Sequence, residues 1–279
     1  MFDADALGWA TMPFSDAVEI NPRRPLPKSG KVPFLDMASL PLNGAPVSVV
    51  EERVVAAGGS RFQAGDTLFA RITPCAENGK LGFVQSTHGD AIAQGSTEFI
   101  VMAAREGVTA PEYVRFLAGW GRVRDQAIGL MEGTSGRQRV PGWAFDEIEV
   151  AIPPLDEQRR IAEVLRSVDE AVTATEAAIN AAVLVRQCAL DALMRDLVEA
   201  AEEKLHVLSE VAEVRTGLAK NKNADGRHIR LPYLRVANVQ DGWFDLSDMQ
   251  EIDVEPEKVD RYSLKAGDVL LTEGGDYDK

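Results

Sequence analysis

The chain has 279 residues, 45% apolar and 27% charged, ordinary globular material and enough for two hydrophobic cores. No apolar run is expected to approach the ~20 residues that span a bilayer, Met1 to Ala10 lacks the basic start and apolar stretch of a secretion signal, and Cys75, Cys188, His88, His206 and His228 are too scattered for a disulfide or a metal site. A net charge of −14 argues against a free-standing nucleic-acid binder, because phosphate neutralisation normally asks for a basic domain.

Residues 11–152 read as an α+β domain. Short β-rich runs (Val47 to Val50, Thr67 to Ile72, Leu81 to Val84, Glu98 to Met102, Ile148 to Ile152) alternate with Gly, Pro and Asn turns. Pro111 to Ala118 starts a helix, with Pro111 near its first turn and Glu112 behind it. The charge along this stretch is uneven: from Arg115 to Val140, the basic residues Arg115, Arg122, Arg124, Arg137 and Arg139 face only Asp125 and Glu132. Such a run is either a binding patch or solvated surface charge. Within it, Gly133-Thr134-Ser135-Gly136-Arg137-Gln138-Arg139 gathers the side chains that read base edges: arginine pairs bidentately with guanine, glutamine with adenine, and hydroxyls with either. A polar turn between helix and strand is the alternative. Arg71, Asn78 and Lys80 are second candidates, as phosphate contacts.

Pro153-Pro154 ends the preceding strand, and Asp156 and Glu157 place negative charge where a helix N-terminus favours it. From Leu155 to about Lys204 the positions Ile161, Leu165, Val168, Val172, Thr175, Ile179, Ala182, Arg186, Ala189 and Leu193 step by four and three, and all but Thr175 and Arg186 are apolar. A helix of roughly 45 residues reaches about 70 Å, too long for one compact domain to cover, so its seam asks for a partner helix. An amphipathic helix packed on its own domain is the plainer reading.

Beyond the helix the sequence repeats itself. Phe14 to Ile20 matches Leu208 to Val214 at an offset of 194, Val32 to Ala38 matches Leu231 to Ala237 at 199, and Phe62 to Phe69 matches Leu264 to Leu271 at 202. Three matches in order with slowly drifting offsets indicate duplication. Gly65-Asp66 and Gly267-Asp268, paired by the third match, are turn residues. A second basic stretch lies in the repeat, where Arg215, Lys220, Lys222, Arg227, Arg230 and Arg235 accompany Asp225 alone. A full second copy from Leu205 needs nearly 200 residues and 75 are present, ending in a Gly/Asp-rich segment, so the second copy is expected to be truncated.

The junction Ala151-Ile152-Pro153-Pro154-Leu155-Asp156-Glu157-Gln158-Arg159-Arg160-Ile161 resembles the boundary between recognition domain and spacer helix in specificity subunits of type I restriction-modification enzymes. The run Phe62 to Arg71, Gly79-Lys80-Leu81-Gly82, the Gly133 to Arg137 loop and Leu231 to Asp241 fit the same family. The resemblance implies two recognition domains, each reading half of a split site in double-stranded DNA and held apart by two long antiparallel helices. Methyltransferase (modification) subunits dock on that frame, with a restriction subunit as an optional further partner. It divides the chain into a first target-recognition domain (1–152), a coiled-coil-type spacer helix (153–204) and an incomplete second recognition domain (205–279). Leu155, Gln158, Ile161, Leu165, Val168, Val172 and Ile179 then form the face that docks a modification subunit or a second copy of the chain.

These readings make the chain a cytoplasmic, non-catalytic recognition subunit without cofactor or metal. Two other classes compete. One is a protein-interaction module pairing through its helix. The other is a metal-dependent nuclease using Asp66, Glu77 and Lys80, although Glu77 and Lys80 lie three apart, an odd spacing that points them to opposite faces of a strand. Asn21-Pro22-Arg23-Arg24 lacks the second proline and the aromatic with which amino-methyltransferases grip a base.

Overall fold

A computed structural model describes residues 8–134, 136–200, 206–218, 228–240 and 242–272, and the chain divides into two units, residues 1–188 and 189–279. The first unit contains β1 (Ala10–Pro13), α1 (Phe14–Ala17), β2 (Val18–Ile20), β3 (Lys31–Leu35), β4 (Ala45–Val49), β5 (Glu52–Val54), β6 (Ser60–Phe62), β7 (Thr67–Ala70), β8 (Leu81–Thr87), β9 (Ala93–Gly95) and β10 (Phe99–Ala104). These are followed by α2 (Pro111–Gly119), α3 (Gly121–Gly129), β11 (Glu149–Ile152) and the long α4 (Leu155–Ala200).

The strand β10 organises this unit. It lies inside a five-stranded sheet of order β2-β10-β7-β8-β4, and its continuous apolar run FIVMAA reflects burial on both faces. With a side-chain period of two, Ile100 and Met102 join a core with Phe14, Phe69, Leu117 and Phe145, while Phe99 and Val101 join another with Leu35, Phe62, Leu68 and Val84. The second core brings in the four-stranded sheet β5-β3-β9-β6. The first is closed by α2, whose Tyr113, Val114, Leu117 and Ala118 face inward. The expected α+β domain is thus present, as are all five strands named from the sequence and both helices.

The start of α4 belongs to the first unit. Gln158 is fully buried: its Oε1 accepts from Ala110 N at 2.9 Å, and its Nε2 donates to Val108 O and Pro153 O at 2.8 Å each. Ile161 packs against the first core and Leu155 is half-buried. This corrects the docking face expected from the sequence. Gln158 cannot meet a partner, and Leu155 and Ile161 are largely occupied by their own domain, because the junction folds back onto the loop before α2. From Glu163 to Glu199 every residue is exposed, including Leu165 at 38%, Val168 at 53%, Val172 at 50% and Ile179 at 58%. A second correction concerns the bilayer: an 18-residue window within Leu155–Glu199 has a mean hydropathy of 1.4, so this helix is long and apolar enough to cross a membrane by length and composition. The apolar residues between Ala177 and Met194 are the source.

The second unit contains α5 (Leu208–Val211), β12 (Ile229–Tyr233), β13 (Val239–Gln240), β14 (Trp243–Phe244), β15 (Gln250–Val254) and α6 (Val259–Tyr262). It repeats the local geometry of the first. In the first copy Val32 pairs with Arg53 and Pro33 with Glu52; in the second Leu231 pairs with Ile252 and Pro232 with Glu251. All four positions are related by 199 residues. The α1 and α5 turns close alike, with Val18 N donating to Phe14 O and Ala212 N to Leu208 O. The aspartates of the Gly-Asp turns accept from Gln63 N at 2.7 Å and Lys265 N at 2.8 Å, each behind a glycine with positive φ, Gly65 at 89° and Gly267 at 98°. Burial is what differs. Phe14, Phe62 and Phe69 are at most 2% exposed, whereas their counterparts Leu208, Leu264 and Leu271 are 59%, 52% and 84% exposed. The ladder partners of β7 are β8 and β10, whereas residues 269–272 form no strand.

Candidate nucleic-acid interface

The loop singled out in the sequence is the tip of a hairpin. Glu132 N donates to Arg139 O at 2.9 Å and Arg139 N to Glu132 O at 2.8 Å, and Arg137 N closes the four-residue turn onto Thr134 O at 2.9 Å. Gly133 is required there: its φ is 125°, and a Cβ would stand 2.7 Å from Arg137 O. The hairpin is joined to the β7–β8 connection through Thr73 N to Gln138 O at 3.0 Å and Val140 N to Arg71 O at 2.8 Å. Loop and connection, about 60 residues apart in the chain, therefore share one site. Ser135 lies outside the described residues.

Their side chains have different fates. Thr134 and Arg137 are exposed, and Gln138 is half-buried. Arg139 is committed to Glu98, with Nε at 3.0 and 2.9 Å from its two carboxylate oxygens and Nη2 at 2.7 Å. These hydrogen bonds, and then the charges of Arg139 and Arg71, hold the Glu98 carboxyl below its ordinary range. Sequence reasoning missed Glu98, and no local pattern marks it. Lys80 donates to Met37 O at 2.7 Å and Ala38 O at 3.0 Å, so its ammonium clamps a neighbouring loop, while Asn78 is exposed on the same connection. The residues of the nuclease reading are not assembled as that chemistry needs: Asp66 is bonded to Arg24 and to Gln63 N, and Lys80 to the two carbonyls. Nor is the basic stretch 115–139 one surface. Arg115 is 5% exposed and ion-paired with Asp169. In the second unit Lys220, Lys222, Asp225 and Arg227 lie outside the described residues, while Arg230 pairs with Glu251 and Arg235 with Asp248.

The family model described as type I restriction modification DNA specificity domain matches residues 8–184, more than half of the chain. The chain belongs to this family. The matched specificity domain takes in the hairpin, the five-stranded and four-stranded sheets, the β1-β11 pair and about eight turns of α4. Among its relatives, the specificity subunit of the type I restriction enzyme EcoKI from Escherichia coli strain K12 is 31% identical over 186 residues, covering 60% of this chain and 39% of the relative. That of EcoAI from Escherichia coli is 27% identical over 158 residues, covering 55% and 27%. The chain thus spans between about a quarter and two fifths of the curated relatives it matches. The HsdS subunit from Thermoanaerobacter tengcongensis aligns with a TM-score of 0.48 at 21% identity, covering 75% of this chain and 52% of that one.

Proposed function

We infer that the chain is a non-catalytic DNA sequence-specificity component of a type I restriction-modification system. The observation that carries this reading is the hairpin of the specificity domain, which presents Thr134 and Arg137 to solvent on a backbone anchored at both ends. Such a polar tip suits base edges in a groove. Within it Arg137 and Gln138 pair with bases, together with Thr134 and Ser135; Arg139 positions the tip through Glu98; Arg71 and Asn78 contact phosphate. The first recognition domain covers 1–152 and the spacer helix 153–204, and residues 205–279 belong to a second recognition domain. Modification subunits, or a second copy of the chain, pack on the exposed face Leu165, Val168, Val172 and Ile179, and a restriction subunit joins the assembly. Work on cellular DNA in this company implies a cytoplasmic protein.

The test is to express the chain with its modification subunit and map methylated positions genome-wide. Methylation at a site that R137A relaxes at one base is the expected result, and the chain alone neither methylates nor cleaves. A methylated sequence left unchanged by R137A would remove base readout from the hairpin.

A further inference from the structure

The hairpin borders a second feature with no role in base reading. A cleft of about 680 Å³ opens between the segment after β2, the start of β6, the residue after β7 and the approach to β10, and Arg23, Arg24, Arg61 and Arg71 all line it. Its wall is built. Asn21, at φ 51°, ends the β2 ladder by donating its N–H to Val101 O at 2.7 Å and accepting from Val101 N at 3.0 Å through Oδ1. Arg24 then reaches into the domain, where its guanidinium forms a two-pronged pair with Asp66; the two side chains are 10% and 3% exposed. Burial pushes the Asp66 carboxyl up to about 6 against the pull of Arg24, so it remains mostly ionised at neutral pH and the two charges cancel. Arg61 Nη1 donates to Arg24 O at 2.8 Å, crossing back over the same segment.

The remaining charges do not cancel. Glu98 is engaged by Arg139. Among the described residues, Arg23, Arg61 and Arg71 have no carboxylate within ion-pair distance, and Arg71 Nε is buried without a hydrogen-bond partner. On a chain of net charge −14, the guanidinium groups of Arg23 and Arg61, with Arg71 sharing the charge of Glu98 with Arg139, focus a local positive field around one open cleft. Guanidinium forks match phosphate oxygens, and a buried unpaired donor is costly unless a ligand satisfies it. The cleft also adjoins the hairpin: Arg71 O accepts from Val140 N, and Arg71 N donates to the backbone carbonyl of Glu98 at 2.9 Å, the residue whose side chain holds Arg139.

We propose that the cleft walled by Arg23, Arg61 and Arg71 binds backbone phosphates of duplex DNA, beside the bases met by the hairpin. This rests on the DNA-reading function above and adds the surface that supplies affinity without sequence preference. Arg23 and Arg61 are exposed; replacing Arg61 gives up one solvent-exposed hydrogen bond, to Arg24 O, so the fold of the double variant is checked by circular dichroism, and Arg24 is left in place because it is structural.

The experiment compares the wild type, R23Q/R61Q, R23K/R61K and R137A, each assembled with the modification subunit, by anisotropy of labelled cognate and unrelated duplexes between about 50 and about 200 mM salt. R23Q/R61Q should bind both duplexes roughly tenfold more weakly, with a salt slope shallower by about 0.9 for each phosphate no longer neutralised, and R23K/R61K should recover most of that slope. R71Q, its fold checked by circular dichroism, should act in the same direction. An unchanged slope in R23Q/R61Q, or a weakening confined to the cognate duplex, overturns the cleft assignment. If the wild type binds DNA, and R137A loses discrimination while R23Q/R61Q behaves as wild type, the cleft alone is wrong. No binding by the wild type removes the DNA-reading function and the cleft together.

Discussion

Arg137 and Arg139 are two residues apart, yet their side chains do different things. Arg137 is exposed at the turn, whereas Arg139 is hydrogen-bonded to both carboxylate oxygens of Glu98. Arg137→Ala should therefore leave thermal stability unchanged and cost about 1–3 kcal/mol on the cognate half-site only, relaxing preference at one base; an equal weakening on all sequences would contradict base readout. Arg139→Ala should lower the melting temperature, because it strands Glu98 and frees the hairpin base. The pair also sets a pH dependence. The folded-state pKa of Glu98 is lowered, so its stabilising contribution is present above the unfolded glutamate value of about 4.3 and is lost as pH falls through the lower folded value. The melting-temperature gap between wild type and Glu98→Gln should be constant near neutrality and close as the pH is taken below about 4. A gap that stays constant down to acid pH would show that the carboxylate charge is not what holds Arg139.

At the scale of elements, α4 changes role along its length. Its first two turns are part of the domain, and Gln158 alone occupies one donor and two acceptor groups of the loops around it. Gln158→Ala should cost about 2–5 kcal/mol in denaturant unfolding, since three buried backbone groups lose their partner. A cost under about 0.5 kcal/mol would mean that the loop before α2 rearranges freely. Leu165 and Val172, further along the same helix, are exposed. Leu165→Asp with Val172→Asp should leave the unfolding of the domain within about 0.5 kcal/mol of wild type while abolishing association in sedimentation runs. A wild-type chain that sediments as a monomer and binds no modification subunit would leave the seam without a partner. Periodicity picks out positions that are exposed beyond Glu163 but could not mark where the domain stops covering the helix, because coverage comes from the loops at Val108 and Ala110, which lie 48 to 50 residues earlier.

Across the whole molecule, one duplicated pattern exists in two energetic states. In the first copy β7 is flanked by β8 and β10 and its Thr67 and Phe69 are buried; in the second, their counterparts Val269 and Leu271 are each 84% exposed. Hydrogen exchange followed by mass spectrometry should show slow exchange at residues 67–70 and 99–104 and near-unprotected exchange at 269–272, because residues 269–272 form no strand ladder that would have to open. Equal protection in the two copies would mean that another surface covers the second. What the sequence by itself determined here is whatever a short window contains: the order and register of the repeat, the Gly-Asp turns, the start and seam of α4, and the junction motif that marks the family. Each rests on periodicity or turn chemistry within about ten residues. Only the tertiary structure decided which charged side chains remain free. Arg139 meets Glu98 across 41 residues and Arg115 meets Asp169 across 54, while Arg23, Arg61 and Arg71 come from three separate segments to line one cleft. The availability of a charge depends on the partner that folding brings beside it, and those partners lie outside any local pattern.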